Sequence, residues 1–290
     1  MTTLVMTGAT SGIGLVAAKR LIGQGQQLIA GVRGARKVPG AVLLPLDLAS
    51  LTSVRAFAAQ VDGPIEALVL NAGMQVHTAS DRSADGYELT FATNHLAHYL
   101  LARLLLPKMA PGGRIILTSS GTHDPAEKTG IPAPLHADAH KLAHPKSDPE
   151  LSKSGMAAGL RAYSSSKLCN LMTARVLAAQ AAVKANSITV HAYDPGFIPA
   201  TGLARGAPWI VRSLIMPLLS AVPLAKGMNT LEAGGSALAG LADGSIDGPG
   251  VYMSLRGGKP TWPQPSVLAR DDALGQQLWA DSAALVGWSA

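Results

Sequence analysis

Short apolar runs alternate with longer amphipathic stretches from one end of the chain to the other. The short runs are rich in Val, Ile and Leu and predict strands, whereas the longer stretches have apolar residues every three or four positions and predict helices. The predicted strands are 3–7, 27–33, 41–47, 65–73, 113–120, 187–196 and 250–255, and the predicted helices are 13–25, 51–61, 84–109, 157–184, 231–242 and 270–286. Strands separated by helices predict a parallel sheet covered on both faces, a doubly wound α/β fold with its ligand crevice at the carboxyl ends of the strands.

Two long segments interrupt this alternation. Residues 121–156 are rich in Pro, His, Asp, Ser and Lys, and residues 199–228 are apolar and broken by four prolines. Both segments follow predicted strands on the ligand side, and loops of this length in a compact domain usually have a function or are mobile. We therefore predict one domain over 1–290, with an insertion at 121–156 and a lid over an apolar substrate at 199–228. Contact of the lid with a lipid surface remains an alternative.

The composition restricts the class of protein further. The chain is 48% apolar and only 14% charged, which is typical of a globular protein. Lys and Arg exceed Asp and Glu by 24 − 18 = 6, but no dense basic stretch accompanies this charge, so no nucleic acid partner is predicted. The single cysteine, Cys169, excludes an internal disulfide. Without a charged n-region or an apolar run of about 18 residues, we expect no secretory signal, no spanning helix and a cytoplasmic location.

A glycine-rich turn, TGATSGIG at 7–14, separates the first predicted strand from the first predicted helix. Gly8, Gly12 and Gly14 permit a tight turn and bring backbone amides close to a pyrophosphate at the positive end of the helix. The spacing is Gly-x-x-x-Gly-x-Gly, and a glycine loop alone is weak evidence because any tight junction can use one. Its position after the first strand favours a dinucleotide-binding Rossmann fold.

Basic residues follow the second predicted strand, where proteins that bind an unphosphorylated ribose carry Asp or Glu. Arg33, Arg36 and Lys37 stand there in this chain. A guanidinium pairs with a 2′-phosphate in fork geometry, whereas a carboxylate repels it. NADP is therefore predicted as the cofactor, NAD is less favoured, and a solvated basic loop is the alternative interpretation.

A tyrosine and a lysine stand one helical turn apart in YSSSK. Tyr163 and Lys167, at i and i+4, share one helix face. A free phenol has a pKa of about 10, and a neighbouring ammonium together with an oxidised nicotinamide ring stabilises the phenolate. Such a tyrosine can give a proton to a carbonyl oxygen or take one from an alcohol. On its own, this spacing is a common accident of helical surfaces.

Seven motifs stand in an order that is typical of one protein family: TGATSGIG, LDLAS, LNAG, TNHLAHYLL, RIILTSS, YSSSK and DPG. They resemble the short-chain dehydrogenase/reductase family over nearly the whole chain. NHLAHYLL, SSSKLCNLMTARVLA and PGFIPATGL are most similar to retinol-dehydrogenase-like members and light-dependent protochlorophyllide reductases. The resemblance implies an NADP(H)-dependent oxidoreductase that interconverts a carbonyl and an alcohol on a bulky apolar substrate. It also suggests a homo-oligomer, unless the insertion and the lid block an interface.

The resemblance assigns four catalytic residues. Tyr163 is the proton donor or acceptor, and Lys167 lowers its pKa and holds the ribose hydroxyls. Ser120 hydrogen-bonds the substrate carbonyl; Ser119 is less favoured because strand alternation points it the other way. Asn94 holds a water in a proton relay. An Asn in a long apolar helix has poor propensity and an amide to satisfy, which favours a function over a bond to neighbouring backbone.

The same resemblance assigns the residues that hold the cofactor. They are Gly8, Thr10, Ser11, Gly12, Ile13 and Gly14 of the loop, Arg33 and Arg36 after the second strand, Asp47 and Leu48 beside the adenine, Asn71, Ala72 and Gly73 on the ribose side, Tyr163 and Lys167, Pro195 and Gly196 beside the nicotinamide, and Ile198 and Thr201 beyond them. Hydride transfer belongs to the cofactor, and the protein supplies placement and the proton.

Two departures from the family pattern leave alternatives open. Ser120 and Tyr163 are 43 positions apart, more than in compact members, and Phe197 follows the Pro-Gly turn where protochlorophyllide reductases carry a cysteine. Carbonyl chemistry is therefore favoured over protochlorophyllide-reductase-like C=C reduction. A non-catalytic NADP-sensing protein is a third hypothesis, which the four filled catalytic positions disfavour.

Three histidines in the insertion stand at i, i+4 and i+8. On a helix, His136, His140 and His144 would share one face near Asp138 and could bind a metal. Pro134 and Pro145 limit such a helix, so we favour a surface loop and predict no metal site.

Overall fold

An eight-stranded sheet forms the centre of the protein in the part of the chain that the computed structural model describes, residues 3–34, 37–148, 150, 155–199 and 228–288. Its strands are β1 (Thr3–Thr7), β2 (Gln27–Val32), β3 (Val42–Pro45), β4 (Ile65–Leu70), β5 (Met109–Thr118), β6 (Thr189–Asp194), β7 (Tyr252–Arg256) and β8 (Lys259–Thr261). The order is β3-β2-β1-β4-β5-β6-β7-β8, with β7 and β8 antiparallel and the other neighbours parallel. The connections change direction between β1 and β4, which is where a ligand crevice is expected in such a sheet.

Helices cover both faces of this sheet. They are α1 (Gly12–Gly23), α2 (Leu51–Gln60), α3 (Leu89–Phe91), α4 (Ala97–Leu105), α5 (Ala139–Ala143), α6 (Met156–Ala179), α7 (Ala181–Ala185), α8 (Leu231–Asp243) and α9 (Asp272–Leu285). One apolar core packs α1 and α8 against the sheet, and a second packs α2, α4, α6 and α9 against the opposite face. The predicted doubly wound α/β fold is confirmed.

The predicted helix 84–109 is wrong at both ends. Gly86 has a positive φ of 85°, and Glu88 caps α3 by accepting hydrogen bonds from the amides of Thr90 and Phe91. Helical structure therefore starts at Leu89, and the chain passes through a π-helical turn at Ala92–Leu96 before α4. Met109 already belongs to β5.

Other boundaries also differ from the sequence prediction. The predicted helix 157–184 divides at Gln180, which has extended backbone with φ −62° and ψ 139°. The strand β8 was not predicted. It follows β7 through Gly257 and Gly258, both at positive φ, which is the backbone that a two-residue hairpin turn requires.

The two irregular segments differ in how far they are described. The insertion 121–156 contains α5 and short 3₁₀ turns at Gly121–His123, Pro125–Glu127 and Pro145–Ser147. Nearly all of the predicted lid 199–228 lies outside the described residues. The residues at the two ends of this segment lie close together. Phe197 pairs with Met228, and the Phe197 carbonyl accepts a hydrogen bond of 2.9 Å from the Asn229 amide. Among the described residues, none of the helices combines the length and the apolar character that crossing a bilayer needs.

The C-terminal helix α9 is held by a cluster of aromatic rings around Arg103. The guanidinium carbon of Arg103 lies 4.5 Å from the ring centroid of Trp288 and 4.9 Å from that of Trp279. Arg103 also donates a hydrogen bond of 2.7 Å to the Tyr99 hydroxyl. These contacts attach α9 to α4, on the outer side of the same helical layer as α6.

We expect Arg103→Ala to lower the free energy of unfolding by about 1–2 kcal/mol, because it removes cation–π contacts and one hydrogen bond. Thermal unfolding measures this as a fall in Tm of roughly a few degrees. Arg103→Lys is the control: it keeps the charge without the planar fork and should recover only part of the loss. An unchanged Tm in Arg103→Ala would show that the cluster does not hold α9.

Candidate active site

The glycine loop after β1 has the shape that the sequence predicts. Gly8 has φ 72°, and a Cβ there would lie 2.7 Å from the Ala72 Cα. A Cβ on Gly14 would overlap the Gly8 carbonyl oxygen. Gly12 has φ 57°, but nothing lies within 4 Å of where its Cβ would stand. The space over Gly12 is therefore open, whereas the other two glycines are required by the protein's own packing.

The first turn of α1 leaves its amides free for an anion. Ser11 stands at the N-cap position but makes no side-chain capping hydrogen bond, and the first turn holds no acidic residue. An uncapped helix N-terminus beside open space fits a pyrophosphate.

The turn after β4 is fastened to this loop. The Thr7 hydroxyl oxygen accepts hydrogen bonds of 3.0 Å from the amides of Asn71 and Ala72. The Asn71 side-chain amide donates to the Gly8 carbonyl at 3.3 Å, and its carbonyl oxygen accepts from Thr118. The ends of β1, β4 and β5 are therefore joined at one edge of the sheet.

A buried histidine extends this network to the π-helical turn. His98 Nδ1 lies 3.0 Å from the backbone carbonyl of Asn94, and Nε2 lies 3.0 Å from the Thr7 hydroxyl. Because the carbonyl can only accept, Nδ1 carries the proton and Nε2 accepts from Thr7. Burial lowers the pKa of His98 to about 3, so the ring stays neutral.

Asn94 lies in the π-helical turn and is fully buried. Its carboxamide oxygen accepts from the Met74 amide at 2.8 Å, and its nitrogen donates to the Met74 carbonyl and to the Ser166 hydroxyl. The amide thus bonds backbone that lies next to it in space, as the alternative interpretation expected, although Met74 is distant in sequence. Single π-helical turns occur frequently at functional sites, and this one directs Asn94 toward the Gly73–Met74 turn.

Ser120 and Tyr163 come together despite their separation along the chain. The Ser120 hydroxyl stands at the end of β5 and is a hydrogen-bond partner of the Tyr163 side chain. Tyr163 is only 5% exposed. Ser119 points elsewhere, and its hydroxyl donates to the Lys167 carbonyl at 2.9 Å. The alternation of side-chain directions along a strand therefore predicted correctly which of the two serines faces Tyr163.

Lys167 lies on the same face of α6 as Tyr163, as the i, i+4 spacing predicted. Its ammonium nitrogen is 5.6 Å from the centroid of the Tyr163 ring and donates to the Thr118 carbonyl at 3.0 Å. A Cβ on Gly73 would lie 3.4 Å from this nitrogen. Lys167 therefore stands between the phenol and the turn that follows β4.

Burial controls the titration of both groups. It raises the pKa of Tyr163 to about 12, against the hydrogen bond from Ser120, and lowers the pKa of Lys167 to about 8. The net shift of the Tyr163 pKa in the protein is therefore upward, contrary to the expectation that Lys167 lowers it. Desolvation of the phenolate is the largest cause, since charged forms are disfavoured in a buried site.

The Pro-Gly turn after β6 lies at the same edge of the sheet. Gly196 has φ 67°, and its amide donates to Asp194 Oδ1 at 2.9 Å. The Pro195 carbonyl accepts from the Asn229 side chain at 2.8 Å, and Asn229 also donates to the Leu255 carbonyl. These bonds hold the turn at the carboxyl end of the sheet, beside the ends of β5 and β7.

The remaining predicted residues are only partly placed. Arg33 is exposed at the end of β2, while Arg36 and Thr201 lie outside the described residues. Asp47 follows β3 and accepts from the Ala49 amide, and Leu48 is half-buried beside it. Ile198 is buried and contacts α8.

Sequence reasoning missed the hydrogen bonds of His98 and Asp194. His98 stands four residues after Asn94 in NHLAH, so its spacing placed both on one helix face. Asp194 is the first residue of DPG, a motif that drew attention only to its proline and glycine. The positions of His98 and Asp194 in the sequence do not show that each has a hydrogen-bond partner on another strand. Those partners become visible only once the sheet is assembled.

The three histidines of the insertion have separate partners. His136 pairs with Asp148 at 3.0 Å, His140 lies 3.8 Å from Asp281, and His144 packs edge-on against Tyr87. Within the described parts of the chain, no group of three or more His, Cys, Asp and Glu side chains is arranged to hold a metal ion.

A doubly wound sheet with a glycine loop at the first crossover and a Ser, Tyr and Lys cluster at its carboxyl edge defines a class of nucleotide-dependent oxidoreductases. The profile of the short chain dehydrogenase family matches residues 2–129. The chain belongs to the short-chain dehydrogenase family.

Three similar proteins place it within that family. Protochlorophyllide reductase B of Oryza sativa subsp. japonica, a chloroplastic protein, is 33% identical over 98% of this chain and 77% of the relative. The crystal structure of an uncharacterised protein from Mycobacterium paratuberculosis is 28% identical, with a TM-score of 0.74 over 100% of this chain and 94% of that one. A blue fluorescent protein from a metagenomic library, solved with NADPH, is 24% identical with a TM-score of 0.60, over 89% of this chain and 97% of that chain, and shares the fold.

Proposed function

We propose that this protein is an NADP(H)-dependent oxidoreductase that interconverts a carbonyl and an alcohol on a bulky, apolar small molecule. The proposal depends most on one observation, the convergence of Ser120, Tyr163 and Lys167 at the carboxyl edge of the sheet. Two hydroxyls directed at one point can both hydrogen-bond a single carbonyl oxygen, which is the atom that must gain a proton in reduction.

The residues around the glycine loop fit a dinucleotide. The open space over Gly12 and the uncapped first turn of α1 suit the pyrophosphate, and Gly73 leaves room for a ribose beside Lys167. When bound, NADPH supplies the hydride. Every other part of the reaction depends on side chains of this chain.

The side chains divide the remaining chemistry between them. Tyr163 keeps its proton at neutral pH, because burial raises its pKa to about 12, and is therefore set to donate in the reductive direction. Ser120 fixes the direction of the phenolic hydroxyl. Lys167 stands 5.6 Å from the phenol ring and stabilises the phenolate that proton donation leaves.

The cofactor preference depends on Arg33. We expect Arg33→Ala to lower kcat/KM for NADPH about tenfold and leave kcat/KM for NADH nearly unchanged, because one charge-assisted hydrogen bond to the 2′-phosphate is lost. Steady-state kinetics with both cofactors measures this. Lys19→Ala, which removes an equal charge from exposed α1 surface, is the matched control and should change neither value. Equal losses for both cofactors would contradict the assignment of Arg33.

The substrate class is inferred from exposed apolar side chains on the two segments that carry site residues. Phe197 is 56% exposed directly after the Pro-Gly turn, and Met156 is 53% exposed at the start of α6. The segment 199–228 that follows is itself apolar. A panel of aliphatic and aromatic aldehydes and ketones of increasing size, assayed by NADPH absorbance, tests this. Preference for small polar carbonyls would contradict it.

A second candidate function is reduction of a C=C bond in a tetrapyrrole, which the 33% identity to protochlorophyllide reductase B favours. Against it stands Phe197, where the sequences of those enzymes carry a cysteine. Product formation from protochlorophyllide in light but not in darkness would establish this second function.

A further inference from the structure

A buried carboxylate lies at the end of β6 beside the catalytic groups. Asp194 is 3% exposed, and three donors contact it. The Gly196 amide donates to Oδ1 at 2.9 Å, and the hydroxyls of Tyr252 and Ser254 donate to Oδ2 at 3.1 and 2.8 Å. Since burial raises the pKa of Tyr252, that phenol keeps its proton and acts as a donor. Three donors on one side chain are what an ionised carboxylate requires.

The sheet brings this carboxylate close to the proton-transfer groups. Tyr193 aligns with Thr118 across β5 and β6, so Asp194 stands one position further toward the crevice. Lys167 donates to the Thr118 carbonyl at 3.0 Å. A Cβ on Gly121, the residue after Ser120, would lie 3.4 Å from Asp194 Oδ2.

We propose that Asp194 is a positioning residue of this site: its carboxylate holds the backbone turn at Gly196 and supplies the negative charge that keeps the Lys167 ammonium protonated beside Tyr163. The inference rests on the proposed function, because it explains how the same proton-transfer groups are kept in their working charge states. Asp194 does this without contacting the reacting atoms.

Lys167 is the cation near Asp194 whose charged form we expect the carboxylate to stabilise. The titratable and charged groups near the carboxylate are Tyr163 and Lys167 on α6, Tyr193 on β6, Tyr252 and Arg256 on β7, Glu127, and His123, whose ring packs against Tyr252. Arg256 is already paired in fork geometry with Glu127. Burial pulls the pKa of Lys167 down to about 8, and the charge of Asp194 opposes this.

The sign of the effect is the same for both catalytic groups. A negative charge favours the ammonium over the amine and the phenol over the phenolate, so Asp194 raises the pKa of Lys167 and of Tyr163. Removing the charge of Asp194 therefore lowers both pKa values. Above neutral pH, Lys167 would then be uncharged in much of the protein and would no longer stabilise a phenolate.

Asp194→Asn removes the charge and keeps the shape, because the hydroxyls of Tyr252 and Ser254 can turn to accept from the new amide. We expect the pKa of Lys167, followed by ¹³C NMR of the labelled lysine ε-carbons, to fall by about one unit. The resonance is assigned by its loss in Lys167→Met. The alkaline limb of kcat/KM for carbonyl reduction should move to lower pH by a similar amount.

Tyr252→Phe and Ser254→Ala are the matched controls, since each removes one hydrogen bond to Asp194 and keeps its charge. They should leave the Lys167 titration within a few tenths of a unit. If Asp194→Asn does not fold, as judged by near-UV circular dichroism, Asp194→Ser leaves room for water and tests the same point. An unmoved Lys167 titration in the charge-removing variant overturns the proposal, and so does an equal shift in the two controls.

The NMR titration needs neither cofactor nor substrate. A wrong proposed function would appear as absent turnover in the unmodified protein and would leave the titration interpretable. A wrong role for Asp194 would appear as an unshifted lysine in a protein that turns over normally. The two failures are therefore distinguishable.

Discussion

We expect Tyr163→Phe to lower kcat for carbonyl reduction by about a thousandfold and to leave the Kd for NADPH within roughly threefold of the original value. The phenylalanine ring fills the same buried space but has no proton to give. Ser120 keeps its hydroxyl, yet an aliphatic hydroxyl beside a buried lysine is a poor acid. Stopped-flow and steady-state kinetics measure kcat, and fluorescence titration measures the Kd.

The control for this substitution is Tyr87→Phe. Tyr87 lies in the turn before α3, where its hydroxyl donates to the Leu285 carbonyl at 2.7 Å. The Tyr87→Phe variant should be slightly less stable than the original protein and equally active. If Tyr163→Phe kept kcat within tenfold, another acid would have to supply the proton, and the role given to this phenol would be wrong.

Gly12→Ala should weaken NADPH binding by about 10–100-fold and lower stability by only about 1–2 kcal/mol. Nothing in the protein lies within 4 Å of the added methyl group, so the folded state tolerates it apart from the positive φ of 57°. A pyrophosphate over the loop would not tolerate it, because the methyl group occupies the space that the phosphates need. Isothermal titration and thermal unfolding measure the two effects separately.

Gly14→Ala is the informative comparison. Its methyl group would overlap the Gly8 carbonyl oxygen, and the Asn71 side chain lies 2.6 Å away, so stability itself should fall by about 3 kcal/mol. Gly23→Ala, on the last residue of α1 with nothing near its Cβ, should be neutral or stabilising. Normal NADPH affinity in Gly12→Ala would contradict the position given to the dinucleotide.

The alternation of strands and helices predicted the sheet because each element carries its own periodicity. The helix before Asn94 was predicted to start at 84, but it starts at Leu89. Gly86 was the signal against the earlier start, and the Glu88 cap completes it. The π-helical turn could not be predicted, because it depends on contacts of Asn94 with Met74 and Ser166, both distant in sequence.

The candidate site was predictable where spacing alone fixes geometry. Tyr163 and Lys167 share a helix face at i and i+4, and alternation along β5 distinguished Ser120 from Ser119. Charge states were not predictable in the same way. The high pKa of Tyr163 and the low pKa of Lys167 follow from burial, which depends on the packing of α6 against the sheet.

The fate of an isotope tests the central claim most directly. NADPH that carries deuterium at the transferred position of the nicotinamide is incubated in darkness with the preferred carbonyl compound, and the product is analysed by mass spectrometry and NMR. The account predicts one deuterium on the new alcohol carbon with the original protein, and almost none with Tyr163→Phe over the same time. Deuterium on a former C=C carbon, appearing only under illumination with protochlorophyllide, would contradict it.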